Sequence, residues 1–309
     1  MDIRGKKILV TGGNGFLGRF VIEKALEHGA AREHIVAPSS QQYDLRNIQN
    51  CETVMKGVDI VIHVAALTGR IDLHLNEPGR VLYDNLMMGV NLMEAARKAG
   101  VEKFVSIGSV TEYPADAAVP FLEKDIWNGY PEVSHAPYSL SKRMMIVQGQ
   151  AYRQQYGFNA IHLMPTNLYG PGGKIQSGYV IPSLIQRIHA GQKEHSTSIE
   201  IWGTGTATRE FIYVEDAAEA ILLATERYEK PDPVNLGSGN EIAINDLVKI
   251  LCELMDYQGK IRFDTSKPVG HMRRALDITK AKEEFGFVAR TSLRDGLAKT
   301  IDWYQKNYA

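Results

Sequence analysis

Lys7-Ile8-Leu9-Val10-Thr11-Gly12-Gly13-Asn14-Gly15-Phe16-Leu17-Gly18 is an apolar run that breaks into a glycine-rich turn. Lys7 to Val10 has the length of a short buried strand. Phe16 to His28 has helical spacing, with Phe20, Val21 and Leu26 expected on the inward face. Between them Gly12, Gly15 and Gly18 keep the spacing of a dinucleotide loop. The first glycine permits the tight turn, and the second lets backbone approach a pyrophosphate. The third lets the helix pack on the sheet, while the first helical N–H groups face the anion. Such a pattern also occurs in purely structural turns, but its place directly after a strand and at the head of a helix selects the cofactor reading. Phe16 and Leu17 belong to the same expected site.

The same rhythm continues outward. Strands are expected at 34–37, 58–64, 104–107 and 160–164, and helices over 45–55, 84–99 and 137–156. Alternating strands and helices with near-continuous apolar strands predict an α/β fold, a doubly wound parallel (Rossmann) sheet covered on both faces. After Pro165 the rhythm changes, and 170–212 is rich in Gly, Pro and Thr. A strand over 211–214, a helix over 215–227 and further helices over 242–256 and 292–307 complete the chain. The expected division is a dinucleotide-binding domain from 1–169 plus 213–236, and a smaller α/β substrate-binding lobe from 170–212 plus 237–309.

The 309 residues are 44% hydrophobic and carry a net charge of −1, so no bulk field points to nucleic acid or to an anionic membrane. The two cysteines, Cys51 and Cys252, support neither a disulfide framework nor a thiolate metal cluster. No apolar run approaches the roughly 20 residues of a membrane span. The chain reaches its first strand within about eight residues without a signal-peptide layout. A cytoplasmic setting and a small-molecule partner are the expectations.

NAD sites usually carry an acid at the end of the second strand, where it binds the ribose 2′-hydroxyl. Here that strand ends Ala37-Pro38-Ser39-Ser40, with no acid. Ser39 and Ser40 can donate to a 2′-phosphate, and Arg32 and Arg46 are nearby cations, so NADP(H) is expected ahead of NAD(H). Asp44, before Leu45, is a candidate for the adenine amino group or for a helix N-cap. His63 precedes Val64-Ala65-Ala66, where Ala65 and Ala66 let backbone approach the cofactor. His63 itself reads as a packed histidine, and the nine histidines show no metal-ligand spacing.

Tyr138-Ser139-Leu140-Ser141-Lys142 places a phenol and an ammonium one helical turn apart on one face. A nearby cation favours the phenolate, so Tyr138 is expected at a lowered pKa, passing a proton to or from a carbonyl oxygen. Lys142 can also hold a nicotinamide ribose. In Gly108-Ser109-Val110-Thr111-Glu112-Tyr113-Pro114, at the end of the 104–107 strand, Ser109 is the expected third member. Glu112 reads as a solvated loop carboxylate.

The stretches "TGGNGFLG", "YSLSKRM", "PTNLYGP", "VIPSLI", "IWGTGTATREFIYVEDAA" and "FDTSKPVG" span nearly the whole chain. They resemble the extended short-chain dehydrogenase/reductases (the NAD-dependent epimerase/dehydratase family), and within them the GDP-L-fucose synthases, which are 3,5-epimerase/4-reductases. The resemblance implies that Ser109, Tyr138 and Lys142 form the reductase triad, with Ser109 bonding the sugar C4 oxygen. It also implies that Asn167, Arg187, Trp202, Arg209 and Lys267 line the nucleotide sugar, and that the chain forms a homodimer through helices near 85–98 and 138–156. Arg187 and Arg209 have the fork geometry for a diphosphate, and Trp202 a flat face for a base or sugar. Two positions depart from that family. Thr111 stands where it has a thiol base, and Tyr179 where it has an imidazole acid. Neither hydroxyl matches a thiolate as a base for a carbon acid. The expectation is an NADPH-dependent 4-ketoreductase of a GDP-linked 4-keto-6-deoxy sugar without epimerase activity. The alternatives are the bifunctional synthase, an NAD-retaining C4 epimerase and a non-catalytic cofactor-binding regulator.

Overall fold

The computed structural model describes residues 1–69, 71–173, 178–266 and 271–308. The first half runs β1 (Ile8–Thr11), α1 (Phe16–Glu27), a 3-10 turn (Arg32–His34), β2 (Ile35–Val36), α2 (Ile48–Val54) and β3 (Ile60–His63). It continues with α3 (Ile71–Asn76), α4 (Pro78–Lys98), β4 (Lys103–Ile107), α5 (Ala136–Tyr156) and β5 (Ala160–Pro165). Next come β6 (Asn167–Tyr169), α6 (Val180–Lys193), β7 (Ser198–Trp202), β8 (Thr208–Tyr213), α7 (Val214–Arg227) and β9 (Val234–Leu236). The chain ends with β10 (Glu241–Ala243), α8 (Ile244–Leu254), β11 (Lys260–Asp264), β12 (Arg273–Arg274), α9 (Thr279–Phe285) and α10 (Leu293–Tyr308).

Six strands form one sheet in the order β2-β1-β3-β4-β5-β9, every pair parallel. Period-two alternation explains why both faces need cover. Ile8, Val10, Ile60, Ile62, Val105, Ile107, Ile161 and Leu163 face α1 and α7. Leu9, Val61, Phe104 and Ala160 face the opposite layer, where Leu92 and Met93 of α4 and Met145 of α5 pack. Burying one such aliphatic side chain is worth about 1.5–3 kcal/mol, so these two layers hold the sheet rigid beneath the loops at its C-terminal edge.

Beyond Pro165 the Gly-, Pro- and Thr-rich stretch carries β6, α6, β7 and β8 among its described residues. α6 presents Ile181, Leu184, Ile185 and Ile188 at helical spacing to a second core shared with Leu247, Val248 and Leu251 of α8 and Leu297, Ile301 and Tyr304 of α10. β8 pairs with β6, β10 and β12, and β7 pairs with β11. Two helix starts also differ from expectation. α4 begins at Pro78, whose fixed φ suits a first helical turn. α2 begins only at Ile48, because Asn47 caps it by accepting from the Gln49 N–H at 2.9 Å.

Candidate active site

The strand order turns back between β1 and β3, since the chain moves outward from β1 to β2 and returns to β3 on the other side. Such a reversal opens a crevice at the C-terminal strand ends. Here it is lined by small groups. Gly12 has φ +68°, and a Cβ on it would come within 2.9 Å of Ala65 N. A Cβ on Gly18 would lie 2.1 Å from Gly12 O. Gly15 is the N-cap of α1, with no side-chain cap and no acid in the first turn, so the first amides face outward for an anion. This cradle, which side chains would fill, fits a dinucleotide pyrophosphate. Phe16 is half-buried and Leu17 buried beside it, and Ala65 and Ala66 follow β3 half-buried. His63 is buried, its Nδ1 2.8 Å from Thr11 Oγ1, and burial pushes its pKa down to about 3. It is a packed neutral imidazole, as expected.

Past β2, Ser39 is half-buried, its Oγ accepting from Gln41 N–H at 3.2 Å, and Ser40 is exposed. Leu45 is buried. Asp44 does not cap α2. Its carboxylate accepts from Arg46 N at 3.0 Å and from Arg46 Nε at 2.9 Å. Arg46 also donates to Asp84 at 2.8 Å, so this cation is already engaged by two carboxylates, while Arg32 is exposed.

α5 starts with Pro137 in its first turn, which places Tyr138 and Lys142 on the helix face that meets the end of β4. Both are buried, and the ammonium lies 5.9 Å from the phenol ring centroid. Here the expectation of a lowered phenol pKa is corrected. Burial raises Tyr138 well above the ordinary phenol value, with Tyr179 and Glu112 adding to the rise. Burial also lowers Lys142 to about 8, against the pull of Glu112. Desolvation wins because each group loses water faster than it gains a charged partner. The phenol therefore holds its proton at neutral pH.

Ser109 caps the short turn Val110–Glu112. Its Oγ accepts from Thr111 N–H at 3.2 Å and from the Thr111 hydroxyl at 3.1 Å. With both acceptor positions engaged, the serine has its own proton left to offer. Ser139 of α5 donates to Thr111 O at 2.8 Å, and its oxygen lies 3.1 Å from Thr111 Oγ1, joining the helix to this turn. Glu112 is not a solvated carboxylate. It is fully buried, accepts from Ser109 N–H at 2.6 Å and meets His162 Nε2 at 3.1 Å. Neither carboxylate oxygen is exposed for proton abstraction.

Tyr179, half exposed at the N-cap of α6, lies near enough to Tyr138 to affect its ionisation. Arg187 of α6 stacks over Trp202 of β7 with its guanidinium carbon 5.2 Å from the ring, and donates to Glu200 O at 2.7 Å. Arg209 is half-buried on β8, donates to Thr208 O at 2.7 Å, and is pushed down to about 10 by burial and by Arg274. The Asn167 amide donates to Glu210 O at 2.9 Å, tying β6 to β8. Lys267 lies outside the described residues.

Several residues near the pair escaped the sequence reading. The His74 ring stands edge-on to Tyr138 at 5.8 Å and 4.9 Å from His135, the residue that precedes α5. Burial lowers both imidazoles, His135 to about 4. Ser106 and His162 are register partners on β4 and β5. Polar residues interrupting two apolar strands were the available signal for that last pair.

The family model described as "NAD dependent epimerase/dehydratase family" matches residues 8–237. Over 309 residues, covering 99% of this chain and 97% of the relative, the sequence is 36% identical to a GDP-L-fucose synthase of Sinorhizobium fredii. A GDP-L-fucose synthetase from Naegleria fowleri, solved with NADP bound, superposes with a TM-score of 0.91 at 26% identity, covering 99% and 94% of the two chains. A GDP-mannoheptose C4 reductase from Campylobacter jejuni, also with NADP bound, does so at 0.88 and 26%, covering 99% of each. The chain belongs to the NAD-dependent epimerase/dehydratase family, in the extended short-chain dehydrogenase/reductase fold, and is an enzyme of the nucleotide-sugar epimerase/reductase class.

Proposed function

We propose that the protein is an NADPH-dependent 4-ketoreductase of a GDP-linked 4-keto-6-deoxy sugar, without 3,5-epimerase activity. The observation that carries this reading is the set of groups around Tyr138. A protonated phenol and a serine hydroxyl turned donor stand beside Thr111 and Tyr179, hydroxyls where an epimerase needs a thiol and an imidazole. Glu112, the carboxylate of the Ser109 turn, is spent on Ser109 N–H and His162.

Bound NADPH supplies the hydride. Gly12, Gly15 and Gly18 would hold its pyrophosphate with Phe16, Leu17, Leu45, Ala65 and Ala66 around it. Ser39 and Ser40 would take the 2′-phosphate, Asp44 would face the adenine, and Lys142 would hold the ribose. Ser109 donates to the C4 oxygen, and Tyr138 delivers the proton that turns it into a hydroxyl. Asn167, Arg187, Trp202, Arg209 and Lys267 would bind the nucleotide sugar. In this division of labour 1–169 plus 213–236 would bind the dinucleotide and 170–212 plus 237–309 the sugar nucleotide. A homodimer through α4 and α5 and a cytoplasmic setting complete the proposal.

The bifunctional synthase is the second reading, favoured by the relative named GDP-L-fucose synthase at 36% identity. Incubation with NADPH and GDP-4-keto-6-deoxymannose in D2O separates the two. Epimerisation next to a ketone exchanges a carbon-bound proton with solvent, so a working base leaves deuterium on C3 and C5. The expected product is reduced at C4 with no exchange above an enzyme-free control. Enzyme-dependent deuteration at either carbon returns the bifunctional reading to first place.

A further inference from the structure

Ser106, His162 and Glu112 form a chain that the proposed reaction does not use, and all three are at most 2% exposed. Ser106 Oγ donates to Ile161 O at 3.1 Å, which consumes its only proton. The same oxygen lies 2.7 Å from His162 Nδ1, so Ser106 holds the ring from one side. On the other side Nε2 lies 3.1 Å from Glu112 Oε2 and 3.3 Å from Oε1, so the imidazole bridges the serine and the carboxylate. Removing either partner would leave a buried polar group of the other unpaired, which is costly.

Glu112 reaches both halves of the candidate site. Its Oε1 accepts from Ser109 N–H at 2.6 Å. Its backbone carbonyl accepts from Arg143 Nε at 2.7 Å, and Arg143 follows Lys142 on α5. The meeting is possible only beside a glycine, because a Cβ on Gly108 would stand 2.1 Å from Glu112 Oε1 and 2.3 Å from His162 Nε2. The ionisable groups around the carboxylate are Lys142, Arg143 and Tyr138 of α5 and Tyr113 of its own turn, besides His162 of β5.

We propose that the buried Glu112–His162 pair is a positioning device, fixing the Ser109 turn against the helix that carries Tyr138 and Lys142. The proposal rests on the ketoreductase reading for its kinetic consequence but not for its geometry. The pair has no exposed oxygen or nitrogen, so it acts through Ser109 and not on the sugar. Glu112→Gln preserves the arrangement, since an amide oxygen can accept from Ser109 N–H while the amide N–H donates to Nε2. Glu112→Ala leaves Ser109 N–H and His162 Nε2 without these partners.

The test uses the full chain and three measurements on each variant: NADPH affinity by fluorescence, the rate of NADPH oxidation at saturating 4-keto sugar, and thermal melting. A displacement of about 1 Å can cost roughly 10²-fold in rate, so Glu112→Ala is expected to lose about 10² in kcat while NADPH affinity stays within about 2-fold. Glu112→Gln is expected to recover to within about 3-fold of the parent. Wild-type kcat in a folded Glu112→Ala overturns the proposal. So does a folded Glu112→Gln as impaired as the alanine variant, which would assign the carboxylate's charge a direct role. Side-chain 15N spectra of the parent's histidines give an activity-independent arm if the alanine variant does not fold. Both ring nitrogens of His162 are expected at the shifts of hydrogen-bonded positions, and the shifts of a solvent-exposed imidazole overturn the proposal. Absence of turnover in the parent would sink the ketoreductase reading instead and leave the spectra to decide the pair.

Discussion

A phenol can hand a proton to a ketone only while it still holds one. Burial keeps Tyr138 protonated at neutral pH, which is the state the proposed reduction needs. Tyr138→Phe removes the hydroxyl alone, and folding should survive. The expected result is a loss of kcat of about 10²-fold or more, the size associated with a positioned acid, with NADPH binding retained. Near-parental turnover in the folded variant would remove Tyr138 from the reaction. Lys142 carries the complementary prediction. Its pKa falls to about 8 because burial disfavours the ammonium. A lowered lysine loses its charge earlier as pH rises, so kcat/KM for NADPH should fall through about pH 8 if the ammonium grips the ribose. Lys142→Met should have low kcat/KM with that inflection gone. An unchanged alkaline limb in the variant would assign the ionisation to another group.

At the scale of elements, the loop after β2 decides the cofactor. Between Ala37 and Tyr43 it carries Pro38, two serines and two glutamines, and no acid to repel a 2′-phosphate. NADPH should exceed NADH in kcat/KM. Ser39→Asp should reverse or sharply narrow that preference, and a parental preference for NADH would mean that these serines do not face the cofactor. The βα rhythm was legible from β1 to β5 because those strands are largely apolar runs and the covering helices carry apolar stripes, whereas the short β9, Val234-Asn235-Leu236, gave no such run. α6 was hidden by its setting. Pro182 and the surrounding glycines suggest a loop, although Ile181, Leu184, Ile185 and Ile188 keep a helical period, and a proline in the first turn costs no hydrogen bond. In the site, Ser109, Tyr138 and Lys142 were readable because local spacing carries them. The Glu112–His162 contact was not, because it joins residues 50 apart through strand register. The direction of the Tyr138 shift also had to wait, since it depends on how much water burial removes.

The whole molecule offers two further measurements. α4 and α5 leave Leu82, Tyr83, Met144 and Val147 exposed on one layer of the fold. Burial of that face in a homodimer predicts sedimentation at twice the chain mass, and Val147→Glu should shift the protein toward monomer. A parental monomer at micromolar concentration would remove the proposal. The second measurement is stability against acid. His63 and His135 have folded pKa values lowered by burial from 6.5 to about 3 and about 4. His74 and His271 are lowered as well. For such groups the unfolded chain binds protons that the folded chain refuses, so stability falls as pH drops below about 6.5. His28 has the opposite sign. Held between Glu219 and Glu226, it is raised, and its contribution is present at low pH and lost as pH rises through its folded value. The carboxylates held below their ordinary range, Glu94, Glu132 and Glu241 among them, lose their contribution mainly below about pH 4.5. Urea unfolding between pH 6.5 and 5 therefore reads the lowered histidines against the opposite contributions of His28 and of Glu123 and Glu210, whose carboxyls burial raises. Each one excluded from protonation adds up to about 1.4 kcal/mol of destabilisation per pH unit. His63→Gln keeps a polar partner for Thr11 without an ionisable ring, so the slope in this window should flatten by about that amount at its acid end. An unchanged slope in a folded variant would show that His63 takes up its proton in the folded protein, and that the Thr11–His63 contact does not hold the ring neutral.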